Sequence, residues 1–154
     1  MNRIESAMYT RILVPIDGSE NAQQALSVAC KLLSENASTL YLLHIPEALA
    51  YPTTLVWGVG ALNTEATLAE REKAGEQLLM QAAQSAQEQG AQQVEKQMVQ
   101  GDPVRVILNT ANDQGIDTIV MGSRGLSDLA GVVIGSVSHK VSHSAKCQVI
   151  TVKQ

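Results

Sequence analysis

Two short apolar runs with one helical stripe between them constrain the fold of this chain more than any other feature. Ile12-Leu13-Val14-Pro15-Ile16 is brief, continuous and largely β-branched, which suits a strand covered on both faces. After Asp17-Gly18-Ser19 the apolar residues Ala22, Ala25, Leu26, Ala29, Leu32 and Leu33 recur at helical spacing, with Ser19 placed to cap the helix. Thr39-Leu40-Tyr41-Leu42-Leu43-His44-Ile45 is a second buried run, stopped by Pro46. Strand, helix and strand within fewer than 40 residues imply a parallel, right-handed βαβ unit.

The alternation continues to the end of the chain. Residues 64–89 predict a long helix with Leu68, Gly75, Leu79, Ala82 and Ala86 on one stripe and Gly90 as its stop. Residues 93–99 alternate polar and apolar side chains, as an edge strand near solvent does. Asp102 and Pro103 then open a helix whose buried stripe is Val104, Ile107, Leu108 and Ala111. Residues 116–121 predict a fourth strand, 135–144 a last helix and 148–152 a final strand. Five strands and four helices in alternation predict an α/β fold, a single doubly wound, Rossmann-like sandwich on a five-stranded, mainly parallel sheet of order 3-2-1-4-5. The domain is assigned to residues 9–154, with 1–8 as an N-terminal extension. Residues 46–63 show no sustained period and read as a long loop or the start of the next helix. With one Trp, three Tyr and no Phe, the core must be aliphatic and rich in alanine.

Charge narrows the partners. The net charge of −4 and the lack of any Lys/Arg run argue against nucleic acid. No 18-residue apolar run and no apolar N-terminal region are present, so the reading is a cytoplasmic protein without membrane insertion. Cys30 and Cys147 form no CxxC pair and lie in apolar stretches; they read as two buried thiols in a reducing compartment rather than a disulfide or a metal site.

In open sheets of this order ligands bind beyond the carboxyl ends of the strands, between strands one and four, where the winding reverses. Strand one leaves through Asp17-Gly18-Ser19, and strand four through Gly122-Ser123-Arg124-Gly125. Nine residues later Gly135-Ser136-Val137-Ser138 enters the last helix. Glycines let backbone N–H groups approach an anion, and a helix N-terminus presents unpaired N–H groups with partial positive charge, so the pattern points to phosphate. The hydroxyls of Ser136 and Ser138 offer further donors, and Arg124 offers a cation. No lysine completes a P-loop pattern, which leaves neutralisation to Arg124, the helix end and a divalent metal.

The Val-Pro-Ile-Asp-Gly-Ser start, the Leu-Leu-His-Ile end of strand two, the Gly-Asp-Pro opening and the G-x2-G-x9-G-[ST] spacing together resemble the universal stress protein family, in its ATP-binding branch. The resemblance runs from about Tyr9 to Lys153. It implies adenosine held against Pro15, Asp17 and Ile45, with the main chain at Ile45 reading the adenine edge. It further implies ribose and phosphates held by Met121, Gly122, Arg124 and Gly125 and by Gly135, Ser136 and Val137, with ATP carried together with Mg. A homodimer through the last strand is implied as well. That strand also has few charges to protect its edge before Lys153. The apolar residues of segment 126–134 read either as folded onto the core or as a partner contact that builds larger assemblies.

Simpler readings stand beside these. Asp17 also fits a plain turn, Gly122 and Gly125 a tight strand exit, and Gly135-Ser136 an ordinary helix start. His44 reads as a satisfied, partly buried histidine rather than a base. His139 and His143 are spaced i, i+4 without a further ligand nearby, and Ser123 lacks a nucleophile-elbow context. No catalytic residue and no metal ligand is assigned. The function expected is an ATP-binding, nucleotide-dependent regulatory or stress-response protein, at most a slow ATPase. The alternative is a dimeric interaction module that docks on a transporter or enzyme without nucleotide turnover. A phospho-acceptor receiver lacks its acidic cluster here, and a flavin carrier lacks aromatic residues.

Overall fold

The computed structural model describes residues 9–34, 37–46, 67–124 and 136–153. Among them the chain runs β1 (Arg11–Pro15), α1 (Glu20–Leu32), β2 (Thr39–His44), α2 (Leu68–Glu88), β3 (Val94–Met98), α3 (Pro103–Asp113), β4 (Thr118–Gly122), α4 (Ser136–Ser144) and β5 (Gln148–Val152). The five strands form one sheet of order β3-β2-β1-β4-β5. Every pairing is parallel: β1 with β2 and β4, β2 with β3, and β4 with β5. The sheet is therefore wholly rather than mainly parallel.

Strand residues alternate between two cores because successive side chains leave opposite faces. Ile12, Val14, Leu40, Leu42 and Val120 point to one face, where Ala25, Leu26 and Ala29 of α1 and Leu78, Leu79 and Ala82 of α2 cover them. Leu13, Tyr41, Leu43, Ile119 and Met121 point to the other, under Val106, Ile107 and Ala111 of α3 and Val141 of α4. Two helices on each face make the fold doubly wound, and the alanines on α1 and α2 let those helices approach the sheet closely. The outer strand β3 lies at an edge near solvent, as expected, but its burial does not alternate: Glu95 and Lys96 are both exposed and Gln97 and Met98 half-buried.

Several boundaries differ from the sequence expectations. Helix α2 starts at Leu68 rather than at 64, because Thr67 caps it: the Thr67 hydroxyl accepts from Glu70 N, and the Glu70 carboxylate accepts from Thr67 N. Leu68 consequently sits on the first turn at 39% exposure instead of on the buried stripe. The fourth strand starts at Thr118, not 116, since Ile116 N bonds back to Ala111 O and belongs to the turn that closes α3. In α3 the buried residues are Val106, Ile107, Thr110 and Ala111, while Val104 and Leu108 are only partly covered. Both cysteines are free; Cys30 is buried, and burial pushes its thiol pKa up to about 11, but Cys147 is half-buried rather than buried. The proposed N-terminal extension, most of segment 46–63 with Trp57, and segment 126–134 lie outside the described residues.

The end of the sheet opposite the strand exits is tied by Asp117. Its carboxylate accepts from the backbone N–H groups of Tyr9, Thr10 and Arg11 at 2.9–3.2 Å and from the hydroxyls of Thr10 and Thr118. With the bottom of β1 held in this way, the free ends of the strands are the carboxyl ends.

Candidate functional site

Three strand exits and the entrance of α4 form the candidate site at this end of the sheet, each with its own local cause. At the β1 exit, Ile16 N extends the ladder by bonding Leu43 O at 2.7 Å, and the chain then turns at Gly18, whose φ of +88° suits glycine. Asp17 follows directly: its Oδ1 accepts from Ser19 N at 2.9 Å and from the Ser19 hydroxyl at 2.6 Å. The Ser19 oxygen in turn accepts from Ala22 N and caps α1. One oxygen of Asp17 is thus committed to organising the turn, as the plain reading of that residue held, and the residue is half-buried.

The β2 exit is fixed by His44. The ring is fully buried, and its Nδ1 lies 2.6 Å from Ile16 O. A carbonyl only accepts, so the proton sits on Nδ1. His44 O also accepts from Val99 N. This histidine is a structural cross-tie between the exits of β1 and β2, and Ile45, which follows it, is 5% exposed.

The β4 exit is held on three sides. Ser123 N donates to Val152 O at 2.8 Å, the Ser138 hydroxyl donates to Ser123 O at 2.7 Å, and the Asn21 amide donates to Arg124 O at 3.1 Å. Gly122 is glycine for want of space rather than for an unusual φ: a Cβ there would lie 2.6 Å from Asn21 Cβ and 3.2 Å from Arg124 O. Met121 turns its side chain into the core.

The α4 entrance places Ser136 exposed on the first turn and Val137 partly buried against the second core. Ser138 departs from expectation: it is 2% exposed and its hydroxyl is spent on Ser123 O, so it stitches α4 to β4 rather than waiting for an anion. Gly125 and Gly135 lie outside the described residues. The remaining predicted residues Pro15, Asp17, Ile45, Met121, Gly122, Arg124, Ser136 and Val137 belong to these strand exits and the α4 entrance. Asn21 was missed, since a polar residue in the first turn of a helix carries no sequence signal for a contact made more than 100 positions away.

Similarity to known proteins can be set against this geometry. The profile of the universal stress protein family matches residues 8–153. The chain belongs to that family. A universal stress protein of Bacillus subtilis, YxiE, is 36% identical over 149 residues, covering 95% of this chain and all of that one. The structure of the universal stress protein UspA from Lactobacillus plantarum superposes with a TM-score of 0.77 at 28% identity, covering 95% of this chain and 99% of that one. The universal stress protein from Archaeoglobus fulgidus in complex with dAMP shares the fold, with a TM-score of 0.67 at 20% identity over 94% of this chain and 98% of that one.

The site chemistry can be tested against a nucleotide and its metal. Among the described residues no group of three or more His, Cys, Asp or Glu side chains stands ready for an ion. A magnesium ion at this end of the sheet would meet Asp17 and take its other oxygens from phosphates and water, which is the usual way that Mg is bound. Arg124 ends the described part of the β4 exit, and Ser136 opens α4, whose N-terminus carries partial positive charge.

Proposed function

We propose that this universal stress protein binds an adenine nucleotide, ATP with Mg, in the crevice between β1 and β4 and acts as a nucleotide-dependent regulator in the stress response. The observation that carries this reading is the knitting of the strand exits and the α4 entrance at the switch point: His44 joins β2 to β1, Asn21 joins α1 to β4, and Ser138 joins α4 to β4. The dAMP complex of the Archaeoglobus fulgidus neighbour adds that this fold accepts an adenine nucleotide.

In this reading Pro15, Asp17 and Ile45 receive adenosine. Met121, Gly122, Arg124 and Gly125 with Gly135, Ser136 and Val137 receive ribose and phosphates. No residue of the crevice is assigned as a strong base toward water, so any hydrolysis is slow. The protein works in the cytoplasm, where two free thiols persist, and pairs through β5 with a second copy whose combined surface meets a regulated protein.

The test is to purify the protein without added nucleotide, denature it, identify released small molecules by mass spectrometry and then titrate the apo form with ATP and Mg. Near-stoichiometric ATP or ADP, and binding abolished by Gly135→Glu with the fold retained, are the expected results. No released nucleotide and no heat on titration would reject the reading in favour of a docking module that needs none.

A further inference from the structure

We propose that Asn21 is a positioning residue that holds the β4 exit in its nucleotide-binding conformation, an inference that rests on the nucleotide reading of this crevice. Three observations converge on it. The side chain is 9% exposed and its amide donates to Arg124 O at 3.1 Å across the junction of α1 and β4. Its Cβ and carbonyl carbon occupy the space that a side chain at position 122 would need, at 2.6 and 3.0 Å. Its Oδ1 is buried without a hydrogen-bond partner among the described residues.

The last observation decides between stability and function. A buried acceptor left unpaired costs folding free energy, and the single neutral hydrogen bond at the other end of the amide returns a similar amount. Asn21 therefore adds little net stability, and an apolar residue would serve the core as well. What the amide alone supplies is direction. Anchoring the Arg124 carbonyl fixes the direction of the main chain at the described end of the β4 exit. This is the backbone that follows Gly122 into the glycine motif. Gly122 lets the first turn of α1 approach, since the atoms closest to it are a Cβ and a carbonyl carbon that any residue but glycine carries, and the Asn21 amide then reaches the Arg124 carbonyl.

The experiment measures ATP affinity by calorimetry, in the presence of Mg, beside the thermal unfolding midpoint for wild type, Asn21→Ala and Asn21→Asp. Asn21→Ala is expected to keep the wild-type midpoint while ATP affinity falls by about tenfold, the worth of one positioning hydrogen bond. Asn21→Asp, which keeps the shape but turns an acceptor toward the Arg124 carbonyl, is expected to bind more weakly still. Wild-type affinity in Asn21→Ala, or a lowered midpoint with affinity unchanged, would overturn the inference and leave the nucleotide reading standing. Failure of the wild-type protein to bind ATP would overturn both.

Discussion

Gly75 lies near the middle of the 21-residue helix α2, where glycine costs about 1 kcal/mol relative to alanine. What offsets that cost is the His44 ring. A Cβ at position 75 would run into Cδ2 of the ring, lie 2.7 Å from Nε2 and press on Met98 Cε at 3.3 Å. The ring has no room to retreat, being fully buried and bonded through Nδ1 to Ile16 O. Overpacking of this kind costs about 1–3 kcal/mol, which outweighs the gain in helix propensity. Gly75→Ala is therefore expected to lower the unfolding free energy by up to about 2 kcal/mol, read from the urea midpoint at unchanged m-value. The penalty should shrink in a His44→Ala background, where the clashing ring is gone. In the sequence Gly75 is visible only as a member of an apolar stripe. Its reason lies in a side chain 31 positions away, and periodicity holds no record of such a contact. The same holds for Asn21 and Gly122, whose pairing is a fact of the folded state.

Elements were more legible than contacts, because strands and helices leave periodic marks in the chain. The alternation of strands and helices and their parallel pairing follow from apolar runs, helical stripes and βαβ units, and the order expected of a doubly wound sheet is the one observed. The ends were less legible. Thr67-Leu68-Ala69-Glu70 spells a capping box, yet the alanine-rich, polar residues around 64 read equally well as helix, and local propensity does not distinguish them. The reciprocal bonds between Thr67 and Glu70 settle the start at Leu68. Thr67→Ala is expected to cost about 1 kcal/mol of stability, the usual worth of an N-cap. Since Thr67 is exposed and remote from the cores, the damage should stay local. Amide exchange should quicken in the first turn of α2 and remain unchanged from Leu78 onward, and faster exchange along the whole helix would place Thr67 in a larger cooperative unit.

At the scale of the whole molecule the two edges of the sheet are unequal. On β3 the exposed Glu95 and Lys96 guard the edge, whereas β5 presents Val149, Ile150 and Val152 half-buried and holds no charge between Gln148 and Val152. The proposed homodimer uses that outer edge, and the backbone of β5 allows a clean test. Gln148 N bonds to Asp117 O and Val152 O accepts from Ser123 N, so the even-numbered residues 148 and 152 direct their backbone toward β4. By the two-residue repeat of a strand, Thr151 directs its N–H outward, away from β4. Thr151→Pro then deletes a donor from the open edge without removing a bond of the internal ladder, and proline is tolerated on an edge of this kind. If two copies join strand to strand through β5, sedimentation should show wild type as a dimer and Thr151→Pro as a monomer with the same circular dichroism. A variant that stays dimeric would move the interface to another surface, and a monomeric wild type would remove the dimer altogether. The crevice opens beyond Gly122, which pairs with Val152 only one residue past the substituted position. The same variant therefore reports on the reach of the dimer: a fall in ATP affinity on monomerisation would mean that the partner copy braces the β4 exit, and unchanged affinity would mean that each copy binds on its own.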